Sequence, residues 1–140
     1  MTVEAGLGGA VLLLGRLLFG GMLLWMGGSN LRNNEEMVAY ATANGVPAAV
    51  GLVPVASGML LFGSLGIVLG FYPTIAVAMV AFFLVGVTPA MHPFWAIKDP
   101  AERQQERIAF QKNAALLGGA LALFVLSDQT WAYALDIGFW

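Results

Sequence analysis

The sequence predicts an all-α fold: an integral membrane four-helix bundle, with a short interfacial helix in loop 1 and a cytoplasmic helical extension of span 4. Three observations lead there. Hydrophobic residues make up 59% of the 140 residues and charged residues 10%, whereas soluble domains carry about 25% charged residues. Four apolar runs each approach or exceed the roughly 20 residues that cross a hydrocarbon core. Most of the charges gather in the polar stretches between those runs. The length suits one domain, taken as residues 1–140.

Span 1 reads from about 5 to 28 and is broken by one charge, Arg16. The polar stretch after it offers Asn33-Asn34-Glu35-Glu36 as a helix start and Gly45 with Pro47 as a stop. That spacing predicts an interfacial helix over about 35–44. Span 2 covers about 48–70 and contains Pro54, which membrane helices tolerate because neighbours re-satisfy the freed carbonyl. Gly70-Phe71-Tyr72-Pro73 then makes a tight hairpin into span 3, about 74–91.

The second polar stretch, His92 to Lys112, contains Asp99-Pro100-Ala101-Glu102. An N-cap acid, proline at the first helical position and glutamate two positions further mark a helix start. A helix from there runs without a break into span 4, about 108–127. The aromatic residues of the tail, Trp131, Tyr133, Phe139 and Trp140, suit an interfacial belt. The N-terminus lacks a basic region, so no cleaved signal peptide is expected.

Orientation follows from the bases. Arg32, Lys98, Arg103, Arg107 and Lys112 all fall on the side of the two polar loops, and the opposite side has none. The positive-inside rule therefore puts the loops in the cytoplasm and both termini outside a multi-pass plasma-membrane protein.

Composition also excludes functions. With no cysteine and one histidine, His92, the chain cannot supply thiolate ligand sets or bis-His haem ligation. No metal site and no catalytic constellation are expected. No Lys/Arg-rich run marks a nucleic-acid surface. Gly6-Leu7-Gly8-Gly9 sits in an apolar run and lacks the strand–helix setting of a phosphate cradle.

A few polar residues intrude on the spans. Arg16 shares one helical face with Gly9, Gly20 and Gly27, where another helix backbone can approach closely. A charge at that depth costs ~2.5–3.5 kcal/mol on insertion scales. Arg16 thus either knits helices together, holds an anionic or polar ligand, or snorkels to the surface. No acid lies within a predicted span. Ser57 and Ser64, seven apart on span 2, are candidate partners, and Thr88 lies one turn before His92.

His92 either bonds a helix C-terminus or acts on a ligand, as a proton shuttle or a donor to a quinone carbonyl. Phe94 and Trp95 beside it read as interfacial anchors. Lys112 and Asn113 emerge on the same side, so His92, Lys112 and Asn113 are expected to share one polar pocket. Ala114, Gly118 and Ala122 form a small-residue stripe suited to close helix contact. The ligand-binding candidates are therefore Arg16, Ser57, Ser64, His92, Trp95, Lys112 and Asn113.

Several ordered motifs bear a likeness to a known family. Gly15-Arg16-Leu17-Leu18-Phe19-Gly20, Asn44-Gly45-Val46-Pro47, His92-Pro93-Phe94-Trp95 and the run from Gln111 to Gly119 together resemble the DoxX family. The likeness covers roughly residues 10 to 125. It implies a four-helix membrane fold and a link to membrane redox complexes, one of them an archaeal thiosulfate:quinone oxidoreductase. Many such proteins carry an acid in the second span. Here Leu60 stands near that position, so an Arg–carboxylate pair across spans 1 and 2 is absent.

The leading functional expectation is an accessory or quinone-interacting subunit of a membrane redox complex, with quinone as a non-covalent ligand. The alternative is a non-enzymatic lipid- or pigment-binding scaffold or assembly partner. Either role calls for a lipid bilayer and a membrane-protein partner or homo-oligomer.

Overall fold

The computed structural model describes residues 2–138. Its elements are α1 (Gly6–Arg32), α2 (Asn34–Ala43), α3 (Ala49–Leu69), α4 (Pro73–Met91), a 3-10 turn (Phe94–Ala96) and α5 (Pro100–Leu126). Four of the helices are long and apolar enough to cross a membrane, and no strand forms among the described residues. The architecture is the helical membrane bundle that the apolar runs imply.

In hydrocarbon a helix satisfies its own backbone, so each apolar run becomes a helix and the breaks fall at caps. Helix α2 ends on a Schellman motif: Gly45 takes φ +81, while Val46 N donates to Ala41 O and Gly45 N to Thr42 O, both at 3.0 Å. Helix α3 ends at Gly70, whose φ of +66 is open to glycine at no steric cost. Pro73 then opens α4 at its first turn. The expected cap of α5 forms: the Asp99 side chain accepts from Glu102 N at 2.9 Å. Asp99→Ala should cost about 1 kcal/mol and lower the thermal midpoint of the detergent-solubilised protein by about 2–4 °C.

Helix α1 packs on α3, α3 on α4, and α4 on α5. The α1–α3 seam is made by the glycine face. A Cβ on Gly27 would lie 2.9 Å from Leu61 N, and one on Gly20 would lie 3.2 Å from Ser64 O. Backbones therefore touch, which maximises dispersion contact where lipid supplies no hydrophobic drive between helices. Helices α1 and α5 approach through the Phe19 ring, against which Gly119 sits. Leu23, Leu60, Ile67, Val80 and Leu84 fill the core. Leu60 is fully buried there.

The tail after α5 differs from the expected belt. Trp131 turns inward, 4% exposed, and its Nε1 donates to Leu126 O at 2.7 Å. Ala132 N bonds Val3 O and Leu135 N bonds Leu69 O. The tail thus lies across the ends of α1 and α3 as a packed segment. Tyr133 is exposed as expected; Phe139 and Trp140 lie outside the described residues.

Candidate functional site

Two polar assemblies stand at opposite ends of the bundle. The first surrounds Arg16, which is fully buried. A helix leaves its last four carbonyls without intrahelical partners, and those of α3 belong to Gly66, Ile67, Val68 and Leu69. Gly66 O takes Gly70 N and Phe71 N, and Leu69 O takes Leu135 N. Arg16 serves the two between them, Nε donating to Ile67 O at 2.9 Å and Nη2 to Val68 O at 2.8 Å.

Its Nη1 donates to Ala132 O at 2.7 Å, and Nη2 makes a longer contact with Tyr133 O at 3.5 Å. The guanidinium carbon lies 5.2 Å from the centre of the Trp131 ring, within cation–π range. Carbonyl dipoles at a helix C-terminus carry partial negative charge, so they stand in for the missing carboxylate. Arg16 is a spatial pin between α1, α3 and the tail. Its donors are committed to backbone, and it sits level with the last turn of α3.

Ser64 is not a partner of Arg16: its hydroxyl returns to its own helix, to Leu60 O at 2.6 Å and Leu61 O at 3.0 Å. Ser57 lies deeper along α3, 3% exposed.

The second assembly is at the loop end. His92 follows α4, and its Nδ1 is 2.6 Å from Glu106 Oε2. The other carboxylate oxygen, Oε1, is 2.9 Å from the Tyr40 hydroxyl of α2, which is also 3.0 Å from Met91 O. Asn44 Nδ2 reaches the same Met91 carbonyl at 3.4 Å. A phenol has one proton for these two acceptors, so Tyr40 can donate to only one of them at a time. Burial, and then the bond to Glu106, raise the Tyr40 pKa.

This cluster differs from the expected pocket of His92, Lys112 and Asn113. The partner of His92 is Glu106, and Lys112 lies on the exposed side of α5. Asn113 is buried two turns along α5 from Glu106. Trp95 is 59% exposed and stacks edge-on with Phe94 and Phe110, which anchors the 3-10 turn to α5. Sequence reasoning missed Tyr40, Asn44 and Glu106. The seven-residue spacing of Glu106 and Asn113 was the available signal, since it places both on one face of a helix.

An apolar groove of about 340 Å³ opens beside the cluster, between α2, α3 and α4. Val53, Met59, Phe83 and Val87 line it, and it ends at Ala41 and Met91. Gly86 also lines it, and a Cβ there would meet nothing within 4 Å. The result is a membrane-facing apolar trough that reaches Ala41 and Met91, the chain neighbours of Tyr40 and His92. Among the described residues, no three His, Asp or Glu side chains converge as a metal site.

Fold and sites together define a multi-pass membrane protein with one polar assembly towards each end of a helical bundle. The chain belongs to the DoxX family, whose family model matches residues 11–93. That stretch holds Arg16, the groove and His92, and stops before α5. No curated protein matches the chain, and no solved structure does.

Proposed function

We propose that this DoxX-family protein is a quinone-interacting accessory subunit of a membrane redox complex. The observation that carries the reading is the apolar groove that reaches Ala41 and Met91, next in the chain to Tyr40 and His92 of the loop-end cluster. Its volume falls in the range of ligand pockets, about 300–1,000 Å³. Its lining suits an isoprenoid or ring system, and the neighbouring cluster carries groups that suit carbonyl oxygens. Arg16 is the weaker candidate because its donors already serve backbone carbonyls.

A quinone, when bound, supplies the redox couple that the chain's own side chains lack. The chain's part is to hold a ring carbonyl and to keep proton-bearing groups beside it. Glu106 fixes the His92 ring through Nδ1, leaving Nε2 as the nitrogen to meet a ligand. Asn44, whose bond to Met91 O is long at 3.4 Å, has amide donor capacity to spare.

The accessory role draws on α5, the least buried of the four spans. Its outer face carries Ala114, Ala115, Gly118 and Ala122, with Leu121 and Val125 beside them, all exposed. Small residues facing outward favour another helix over lipid. The same face supports the alternative of a scaffold or assembly partner, and co-purification of a redox enzyme rather than a transporter or channel separates the two. The distribution of Lys and Arg supports a plasma-membrane orientation with loops inside and termini outside.

The test is equilibrium binding of a short-chain quinone analogue to the purified protein. His92→Leu should weaken binding about tenfold, the equivalent of one lost hydrogen bond of roughly 1–1.5 kcal/mol. Unchanged affinity in a normally folded variant would overturn the assignment of the head-group end.

A further inference from the structure

Arg32 closes α1 at the loop end of the bundle and belongs to neither polar assembly. Among the described residues its side chain makes no hydrogen bond or ion pair, although Glu35 and Glu36 follow three and four positions later. The reason is local. Asn33 ends α1 and α2 starts after it, so the spacing that pairs charges along one helix does not operate here.

Arg32 stands where two clefts meet. One, of about 180 Å³, is lined by Leu24, Trp25, Gly28, Ser29 and Arg32. The other, of about 390 Å³, runs from Arg32 along the first turn of α2 to Glu35 and Glu36. Gly28 keeps the first cleft open, since a Cβ there would meet only Leu61 Cδ1 at 3.9 Å. The Ser29 hydroxyl accepts a long bond from Asn33 Nδ2 at 3.4 Å and retains its own proton to donate.

The clefts open onto hydrocarbon. Trp25, Leu18 and Val11 lie 7, 14 and 21 residues before Arg32 and so share its face of α1. They are 76%, 62% and 54% exposed. A long apolar chain can lie along that face with its polar end at Arg32. The charges sort the polar end. Arg32 and Ser29 offer donors to a phosphate, while Glu35 and Glu36, on the other side of Arg32, favour a cation and disfavour a second anion.

We propose that the α1–α2 junction binds one aminophospholipid, a phosphatidylethanolamine. Its phosphate is held by Arg32 and Ser29, its ammonium by Glu35 and Glu36, and an acyl chain runs past Trp25. Basic groups at the cytoplasmic ends of membrane helices commonly take lipid head groups; the adjoining acids make this site select an amine. Phosphatidylglycerol lacks the cation, and the methylated amine of phosphatidylcholine has no N–H to donate. The site shares no lining residue with the quinone groove and stands whether or not that groove binds quinone.

The test is native mass spectrometry of the full chain, delipidated in detergent and titrated with phosphatidylethanolamine, phosphatidylglycerol or phosphatidylcholine of identical acyl chains. The wild type should bind one phosphatidylethanolamine about tenfold more tightly than either other lipid, the scale of one hydrogen bond to a charged group. Arg32→Gln should abolish that preference. Glu35→Gln with Glu36→Gln should turn it towards phosphatidylglycerol. All three residues are exposed, so both variants fold. Gly28→Leu, which fills the cleft, should weaken binding of every lipid. Inorganic phosphate should not displace the lipid. Equal affinity of the wild type for the three lipids overturns the site, as does a phosphatidylethanolamine preference that persists in either charge variant. Displacement by inorganic phosphate overturns the lipid assignment.

Discussion

Arg16→Ala is expected to leave little folded protein to purify. The guanidinium makes three short bonds to carbonyls, at 2.7 to 2.9 Å, each a hydrogen bond from a charged donor and so worth about 1.5–3 kcal/mol. Removing it strands Ile67 O and Val68 O at the buried end of α3, along with Ala132 O in the tail. It also opens a void beside Trp131. The loss sums to roughly 5 kcal/mol or more, comparable to the whole stability of a typical domain at about 5–15 kcal/mol. Arg16→Lys keeps the charge but replaces a planar fork by a point donor that cannot span two helix carbonyls and the tail together. It should fold and melt well below wild type. Size-exclusion profiles and thermal melts in detergent read both outcomes. A monodisperse Arg16→Ala protein with an unchanged midpoint would refute the pin.

The same residue shows where sequence reasoning reaches its limit. Its inward face was legible, because Gly9, Gly20 and Gly27 share its helical phase and helical phase is periodic. Its partners were not. A search for an acid or a serine looks among side chains, and the acceptors here are main-chain carbonyls, which every residue has. What selects them is the end of α3 at Gly70, together with a tail held by Ala132 N on Val3 O and Leu135 N on Leu69 O. Such non-local backbone bonds leave no pattern in the sequence, and the inward turn of Trp131 was hidden for the same reason.

The spans were legible for the opposite reason. Twenty apolar residues in hydrocarbon have one way to satisfy their backbone, and Gly45, Gly70, Pro73 and Asp99 punctuate them by local rules. The loop-end cluster falls between these cases. His92 stood out as a lone titratable group, yet its pairing with Glu106 depends on the register of α4 against α5 across an irregular connection. Tyr40 reaches that pair only because the turn at Gly45 sets α2 against α3 and α4. Lys112, one residue before Asn113 in sequence, falls on the other side of the helix.

The groove beside that cluster carries the functional account, and Gly86 offers a way to close it without disturbing the bundle. A side chain there points into open space, and leucine is a better helix former than glycine by somewhat less than about 1 kcal/mol. Gly86→Leu should therefore fold at least as well as wild type while filling part of a groove of about 340 Å³. The measurement is a titration of a short-chain quinone analogue into purified wild type and Gly86→Leu, with melting temperatures taken on the same samples. The account predicts saturable binding to wild type and a loss of at least tenfold in affinity, about 1.4 kcal/mol, in a variant of equal or higher melting temperature. Equal binding by the two proteins, or no saturable binding by the folded wild type, would contradict it.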